Sequence, residues 1–405
     1  MNADIAHYLR EQTASFSNVP LNSVDALVLC SASYFYLEDG AIGRVNPEAT
    51  MPLPMAVCGI PREQLFRNSW LVDWNGDALL AALLANPRYA GIDVGYYANI
   101  VSDVREEQFS AMTFFLRDER DSMFVAYRGT DDSFAGWKED FNMAFLETLP
   151  SQKTALAYLE GIINATGGAG PVYVGGHSKG GNIAEYAALT ASDQAFSRIE
   201  AIYNLDGPCF GSDPSARIHD DDFKRKLHKI VPESSVFGMM LEKRDGYRII
   251  QAQNLGLFQH APMNWIVRDN DFVTVETLST DATLFDATMN NWCAGYSPKQ
   301  REDFIDALYY VVQKSGAKDW TEFDQAYLPH MAKVLAETTK LEPDVRNMVI
   351  SMFLKVAQIY GNEAFEHIRS KAPVVLPSSL QPRKMELPKP TSMQPISFLK
   401  EEESR

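Results

Sequence analysis

The stretch Val172-Tyr173-Val174-Gly175-Gly176-His177-Ser178-Lys179-Gly180-Gly181-Asn182-Ile183-Ala184 decides the fold of this 405-residue chain. Val172 to Val174 reads as a short apolar strand, and Gly181 to Thr190 reads as a helix rich in small residues. Between them Gly176 to Gly180 matches the pattern G-x-S-x-G. A serine on so tight a strand-to-helix turn projects its hydroxyl outward, and its neighbours must be small for the two backbones to pass. Gly175, Gly176, Gly180 and Gly181 supply that room, and Ala184, Ala187 and Ala188 let the helix lie near the sheet. The turn also sets Ser178 at a helix N-terminus, where unpaired N–H groups and the helix dipole favour developing negative charge. A phosphate-binding loop is excluded, because Lys179 follows the serine instead of preceding it.

Working outward, Phe109 to Leu116 and Met123 to Tyr127 read as strands separated by the charged turn Arg117 to Asp121. Ser151 to Ala165 reads as a helix with Leu156, Leu159, Ile162 and Ile163 on one face, and Ile199 to Leu205 as a further strand. Val236 to Leu241 and Tyr247 to Ala252 are expected to be the last strands. This β-loop-α-β order predicts an α/β fold with a mostly parallel central sheet and helices on both faces. Residues 1–100 are expected to pack on a catalytic core at 101–297, with Leu80 to Ala85 as a short helix ended by Asn86-Pro87. A helical C-terminal region follows over 298–370, with Phe304, Ala307, Leu308 and Val311 on one face. Six prolines in the polar segment 371–405 predict a disordered tail.

Apolar residues make up 46% of the chain and charged residues 22%, the balance of a globular protein, and no repeat of twenty to fifty residues argues for a solenoid or propeller. Four widely spaced cysteines form neither a CxxC pair nor a disulfide framework, so no metal and no organic cofactor is expected. The first residues lack the basic-then-apolar layout of a leader, and no apolar run reaches the length of a spanning helix. A cytoplasmic protein without a transmembrane segment is the expectation. A net charge of −16 argues against nucleic acid as a partner, since phosphate binding needs clustered Lys and Arg.

A serine hydroxyl is a weak nucleophile until an imidazole removes its proton, and in this architecture the histidine follows the serine in the chain. His7 precedes the sheet, His177 adjoins the serine, His228 falls in a Lys-rich helix, and His330 and His367 fall in the C-terminal helices. That leaves His219, in the acidic loop Asp213 to Asp222, and His260, in a loop after a late strand; His260 is the chosen base. A carboxylate at another strand end should hold the imidazole. Asp206, beyond the strand ending at Leu205, meets that condition, and Glu233 competes from the next strand. The developing oxyanion needs two donors: the N–H of Lys179, and a group from the loop Arg128 to Asp132, where Thr130 offers its N–H and hydroxyl.

These residues resemble those of the class 3 lipase family, and more closely a bacterial branch of lipase-like α/β-hydrolases of unknown function. The resemblance spans about residues 109–267 and rests on Tyr127-Arg128-Gly129-Thr130 with Trp137 and Asp140, then Gly175 to Asn182 and Asp206-Gly207-Pro208. Val231 to Ser235 and Gln259-His260 with Trp265 complete it. It implies an α/β-hydrolase fold, Ser178 as nucleophile, His260 as base, Thr130 in the oxyanion hole and an ester or lipid-like substrate. Class 3 lipases draw their acid from the region where this chain has Glu233, whereas Asp206 matches the pancreatic-type arrangement; Asp206 is the chosen acid and Glu233 the alternative. Lys179 departs from the small or hydrophobic residue common in secreted lipases.

The expected activity is therefore that of a serine esterase, without cofactor, acting on a small ester or lipid-like molecule. Phe237 to Leu241 could line an acyl pocket, although a buried strand explains that stretch as well. The competing readings are a silent hydrolase fold that serves as a lipid-binding or protein-interaction module, and a peptidase using the same three residues.

Overall fold

The computed structural model describes residues 4–42, 49–67, 75–167, 170–254, 256–280, 282–283 and 295–317, with positions 333, 337, 340 and 341. An eight-stranded sheet has its strands side by side in sequence order: β1 (Met51–Pro52), β2 (Asp93–Ser102), β3 (Glu107–Phe115), β4 (Met123–Tyr127), β5 (Val172–His177), β6 (Ile199–Leu205), β7 (Leu227–Pro232) and β8 (Tyr247–Ile250). Pairings from β1 to β4 are antiparallel and those from β4 to β8 are parallel. The change of sense follows from the connections. A short turn joins β3 to β4, whereas each parallel neighbour needs a longer crossover. Among the helices used below are α1 (Ile5–Glu11), α2 (Ser23–Ala32), α3 (Gly76–Ala85), α4 (Phe134–Asn142), α5 (Pro150–Thr166), α6 (Lys179–Thr190) and α7 (Asp221–Lys226).

Alternation along the central strands makes two cores. Phe124 and Ala126 of β4, Tyr173 of β5 and Tyr203 of β6 join Leu27, Val28 and Leu29 of α2 on one face. Val125 and Tyr127, Val174 and Ile202 point the other way, against Leu159 and Ile163 of α5 and Ile183 and Ala187 of α6. Burying both faces explains why these strands are mostly apolar. With helices covering both sides of a mostly parallel sheet, the fold is that of an α/β-hydrolase.

The first hundred residues do more than pack on this core, because β1 and most of β2 are strands of the sheet itself. They are tied down by a buried pair: Arg88 Nη2 lies 2.6 Å from Asp25 Oδ2, and both side chains are fully enclosed. Asp25 also closes the capping box of α2 and accepts from Tyr8 and Tyr89 hydroxyls, so this buried carboxylate has the multiple partners it needs.

Two expectations are corrected. Val236 to Leu241 forms turns and not a strand, and the strand lies earlier, at Leu227–Pro232, where His228 had been assigned to a helix. The helix ends at Lys226, after which Ile230 and Val231 pair into the sheet beside β6. The later stretch must turn, because a side chain at Gly238 would meet Asp206 Oδ1 at 2.3 Å. Elements expected at 151–165, 172–174, 181–190 and 247–252 are found at Pro150–Thr166, Val172–His177, Lys179–Thr190 and Tyr247–Ile250.

Two compact units divide the chain, residues 1–292 and 293–405. In the second, α8 (Pro298–Gln313) buries Phe304, Ile305, Ala307 and Leu308 at helical spacing. The further helices expected up to 368 and the tail 371–405 lie outside the described residues. No described helix is long and apolar enough to cross a membrane, and no group of described His, Cys, Asp or Glu residues could hold a metal ion.

Candidate active site

Ser178 stands one residue beyond β5, with φ 59° and ψ −134°. That left-handed conformation is costly for a residue with a Cβ, about 1–3 kcal/mol, and persists only where its surroundings enforce it. They do so by close approach. A Cβ on Gly176 would lie 2.1 Å from the Gly180 backbone, and one on Gly180 would lie 2.2 Å from Tyr127 O. The strand and helix therefore pass at a distance that only glycine permits, and α6 begins immediately after the serine.

Strand register sets the carboxylate beside it. His177 pairs with Leu205, so Ser178 and Asp206 are the next residues of adjacent parallel strands. Asp206 also has a positive φ, 53°, and is fully buried. Its Oδ2 lies 2.6 Å from His260 Nδ1. Its Oδ1 accepts from the Ser235 hydroxyl and, at 3.2 Å, from Gly238 N. This leaves Nδ1 of His260 as the protonated nitrogen facing a carboxylate and Nε2 as the basic one. Glu233, the other candidate acid, follows β7 and takes a hydrogen bond from Gln259 Nε2 at 3.5 Å.

His260 is carried on a 3-10 turn, Gly256–His260, that the core grips on both sides. Trp265 Nε1 donates to Gln259 O at 2.9 Å, and Gln259 Oε1 accepts from Ser234 N at 2.7 Å. His177 grips it too: its Nε2 donates to His260 O at 2.8 Å and its ring lies 4.5 Å from that of His260. Complete burial holds the His177 imidazole well below its usual pKa, hence neutral, and the Tyr34 hydroxyl meets its Nδ1 at 3.2 Å. His219, the other candidate base, is exposed, pairs with Asp213 at 3.0 Å, and lines a separate cavity of about 240 Å³.

Ser178 and His260 line one cavity of about 650 Å³, within the range of small-ligand sites. Thr130 and Asp140 lie on the same wall, and Phe237 and Met263 add apolar surface. The Thr130 hydroxyl donates to Asp140 Oδ2 at 2.6 Å. Burial raises the Asp140 pKa to about 6 despite the nearby Lys179 cation and that hydrogen bond. Lys179 opens α6, where the first N–H groups have no acceptor within the helix. Its side chain turns inward, donating to Gln108 O at 2.9 Å, Gln108 Oε1 at 2.7 Å and Glu139 Oε2 at 2.9 Å.

Ser178 and His260 thus stand on one cavity, the imidazole of His260 is held by a buried carboxylate, and α6 begins at the residue after the serine. Sequence reasoning missed Asp4 and Tyr34 on the cavity wall and the Ser235 and Gly238 clamp on Asp206. Gly238 carried a signal, a glycine within an apolar run, whereas Asp4 lies too far away in sequence for any pattern to connect it.

No curated protein matches the chain in sequence. Among solved structures, the crystal structure of M37 lipase is similar at 15% identity and a TM-score of 0.33, over 53% of this chain and 68% of that one. The Mbeg1-like family model matches residues 83–310, from the end of α3 through the sheet and the cavity to α8. That is more than half of the sequence, and the chain belongs to the Mbeg1-like family.

Proposed function

We propose that the chain is a lipase-like serine hydrolase that cleaves a carboxylic ester through an acyl-enzyme. The observation that carries this reading is the 2.6 Å contact between Asp206 and His260 Nδ1, in a cavity that Ser178 also lines. In the first step Ser178 Oγ attacks the ester carbonyl carbon while His260 Nε2 takes its proton, and Asp206 stabilises the imidazolium. Negative charge on the former carbonyl oxygen is met by the amides of Lys179 and Thr130. The Thr130 hydroxyl hydrogen is engaged by Asp140, which leaves the amide as that residue's donor. The tetrahedral species collapses, His260 returns the proton to the departing alcohol oxygen, and the acyl group stays on Ser178. Water, deprotonated by His260, then releases the acid and regenerates the serine. Glu233 has no part in this scheme.

Mass spectrometry after treatment with a fluorophosphonate should find one adduct, on Ser178, and p-nitrophenyl esters should be turned over with a graded dependence on chain length. Asp206→Asn should lower kcat by about 10²–10⁴-fold while leaving the fold intact, because it allows the wrong imidazole tautomer. Labelling elsewhere than Ser178, or labelling unaffected by His260→Ala, would rule the mechanism out. No labelling and no turnover would favour the silent fold that only binds its ligand.

A further inference from the structure

The charge around the cavity is one-sided. Among the described residues that line it there is no lysine or arginine, while carboxylates stand on it at Asp4 and Asp140. Lys179, a cation behind the wall, is 1% exposed and bonded to Gln108 and Glu139, so it does not reach a bound molecule. Asp140 adds a second observation. One of its oxygens accepts from Thr130, but Oδ1 is buried and has no hydrogen-bond partner. A buried acceptor left unsatisfied calls for a partner that the protein does not supply. Trp137, Phe237 and Tyr34 lie on the same cavity, and aromatic faces attract cations through their quadrupoles.

We infer that this cavity selects esters by charge, excluding those whose alcohol or acyl part is anionic and favouring those that carry an ammonium group. The inference rests on the reading of Ser178 as nucleophile only for turnover; the charge preference itself belongs to binding. An anionic group here would lose its water beside two carboxylates with no lysine or arginine among the described lining residues, whereas an ammonium would find both carboxylates and aromatic faces. Anionic thioesters and acidic phospholipids are thus poor candidates, and amino-alcohol esters good ones.

The test uses esters of one acyl chain whose alcohol ends in trimethylammonium, in its uncharged tert-butyl isostere, or in sulfonate. We expect kcat/KM to fall in that order, with about tenfold or more between the ammonium and sulfonate esters at low ionic strength. Asp4→Asn is a suitable variant, because Asp4 caps α1 by accepting from His7 N and asparagine caps equally well. It should reduce the ammonium-to-neutral ratio about threefold. A sulfonate ester hydrolysed as fast as the neutral one, or a ratio unmoved by both Asp4→Asn and Asp140→Asn, would overturn the proposal. Calorimetric binding of benzyltrimethylammonium and benzenesulfonate to Ser178→Ala separates the two ideas. Selective ammonium binding without turnover in the native chain retains the charge preference and sinks the nucleophile, and equal or tighter sulfonate binding sinks the charge preference alone.

Discussion

Two buried ionic clusters adjoin the site residues, one at Lys179 next to Ser178 and one at Lys229, which bonds Gly207 next to Asp206, and they are built differently. Beneath the serine, Lys179 meets Glu139 at 2.9 Å with side chains 1% and 0% exposed, one cation to one carboxylate. Glu139 Oε2 further accepts from Gln108 N and Oε1 from Ser151 N, so β3, α4 and the start of α5 converge on a single ammonium. Behind the Asp206 loop, Lys229 and Arg244 share Glu242, and Arg244 also meets Glu185. There Lys229 Nζ donates to Gly207 O at 3.0 Å, and Asn204 links Glu185 to Gly207 N. The first cluster is enclosed and, among the described residues, has no second cation; the other gives Glu242 two cations and reaches solvent at Arg244, which is 27% exposed. A buried charge that loses its sole cation costs far more than one that keeps another, so Glu139 and Glu242 should differ in sensitivity.

The largest effect should follow Lys179→Met. It leaves Glu139 buried without its cation and should lower unfolding free energy by about 3–5 kcal/mol, measured by urea denaturation. Lys179→Met with Glu139→Gln should recover a good part of that loss. A single variant within about 1 kcal/mol of the native chain would erase the contrast.

Next comes pH, where the two sides should have opposite signs. Burial holds the Asp140 pKa up at about 6, so the folded state binds that proton more tightly than the unfolded chain, whose carboxyl has its ordinary value of 3.8. Its contribution is present below 3.8 and is lost as pH rises to about 6, an effect of about 3 kcal/mol. Glu242 is pulled down to about 2 because Lys229 and Arg244 outweigh the cost of its burial. Its contribution, also about 3 kcal/mol, is present above its ordinary 4.5 and is lost as pH falls toward 2. Stability curves of Asp140→Asn and Glu242→Gln should each lose one of these slopes, and the same change in both would refute the assignment. The smallest effect should be that of Lys229→Met, about 1–2 kcal/mol by the same denaturation measurement, since Arg244 remains hydrogen-bonded to Glu242.

What could be read from sequence was what is local. The turn around Ser178 announced itself because strand, glycines and small-residue helix are contiguous, and the short apolar runs at Met123–Tyr127 and Ile199–Leu205 marked strands that the sheet contains. β2 was missed because a bulge between Gly95 and Ala98, with Tyr96 at φ 53°, breaks its period of two. Leu227–Pro232 was hidden behind the basic helix that feeds it, and its strand was assigned instead to an apolar stretch whose Gly238 must abut Asp206. Asp206 was favoured over Glu233 but not separated from it by local pattern, because both follow strands; which one meets His260 Nδ1 depends on where a loop about thirty to fifty residues further on comes to rest. Asp4 and Tyr34 reach the cavity from the N-terminal elements, a juxtaposition that only tertiary structure creates.

The level pairing of His177 with Leu205 has a further consequence for how this chain can change length. Between those strands the chain leaves the sheet and returns, so residues added or removed near Ser192, on the far side of α6, would leave both strand ends where they are. A single residue inserted within Val172–His177 or Ile199–Leu205 would instead slide one end past the other by about 3.3 Å and turn its side chains to the opposite face. The crossover is where this molecule can absorb insertions, and the two strands are where it cannot.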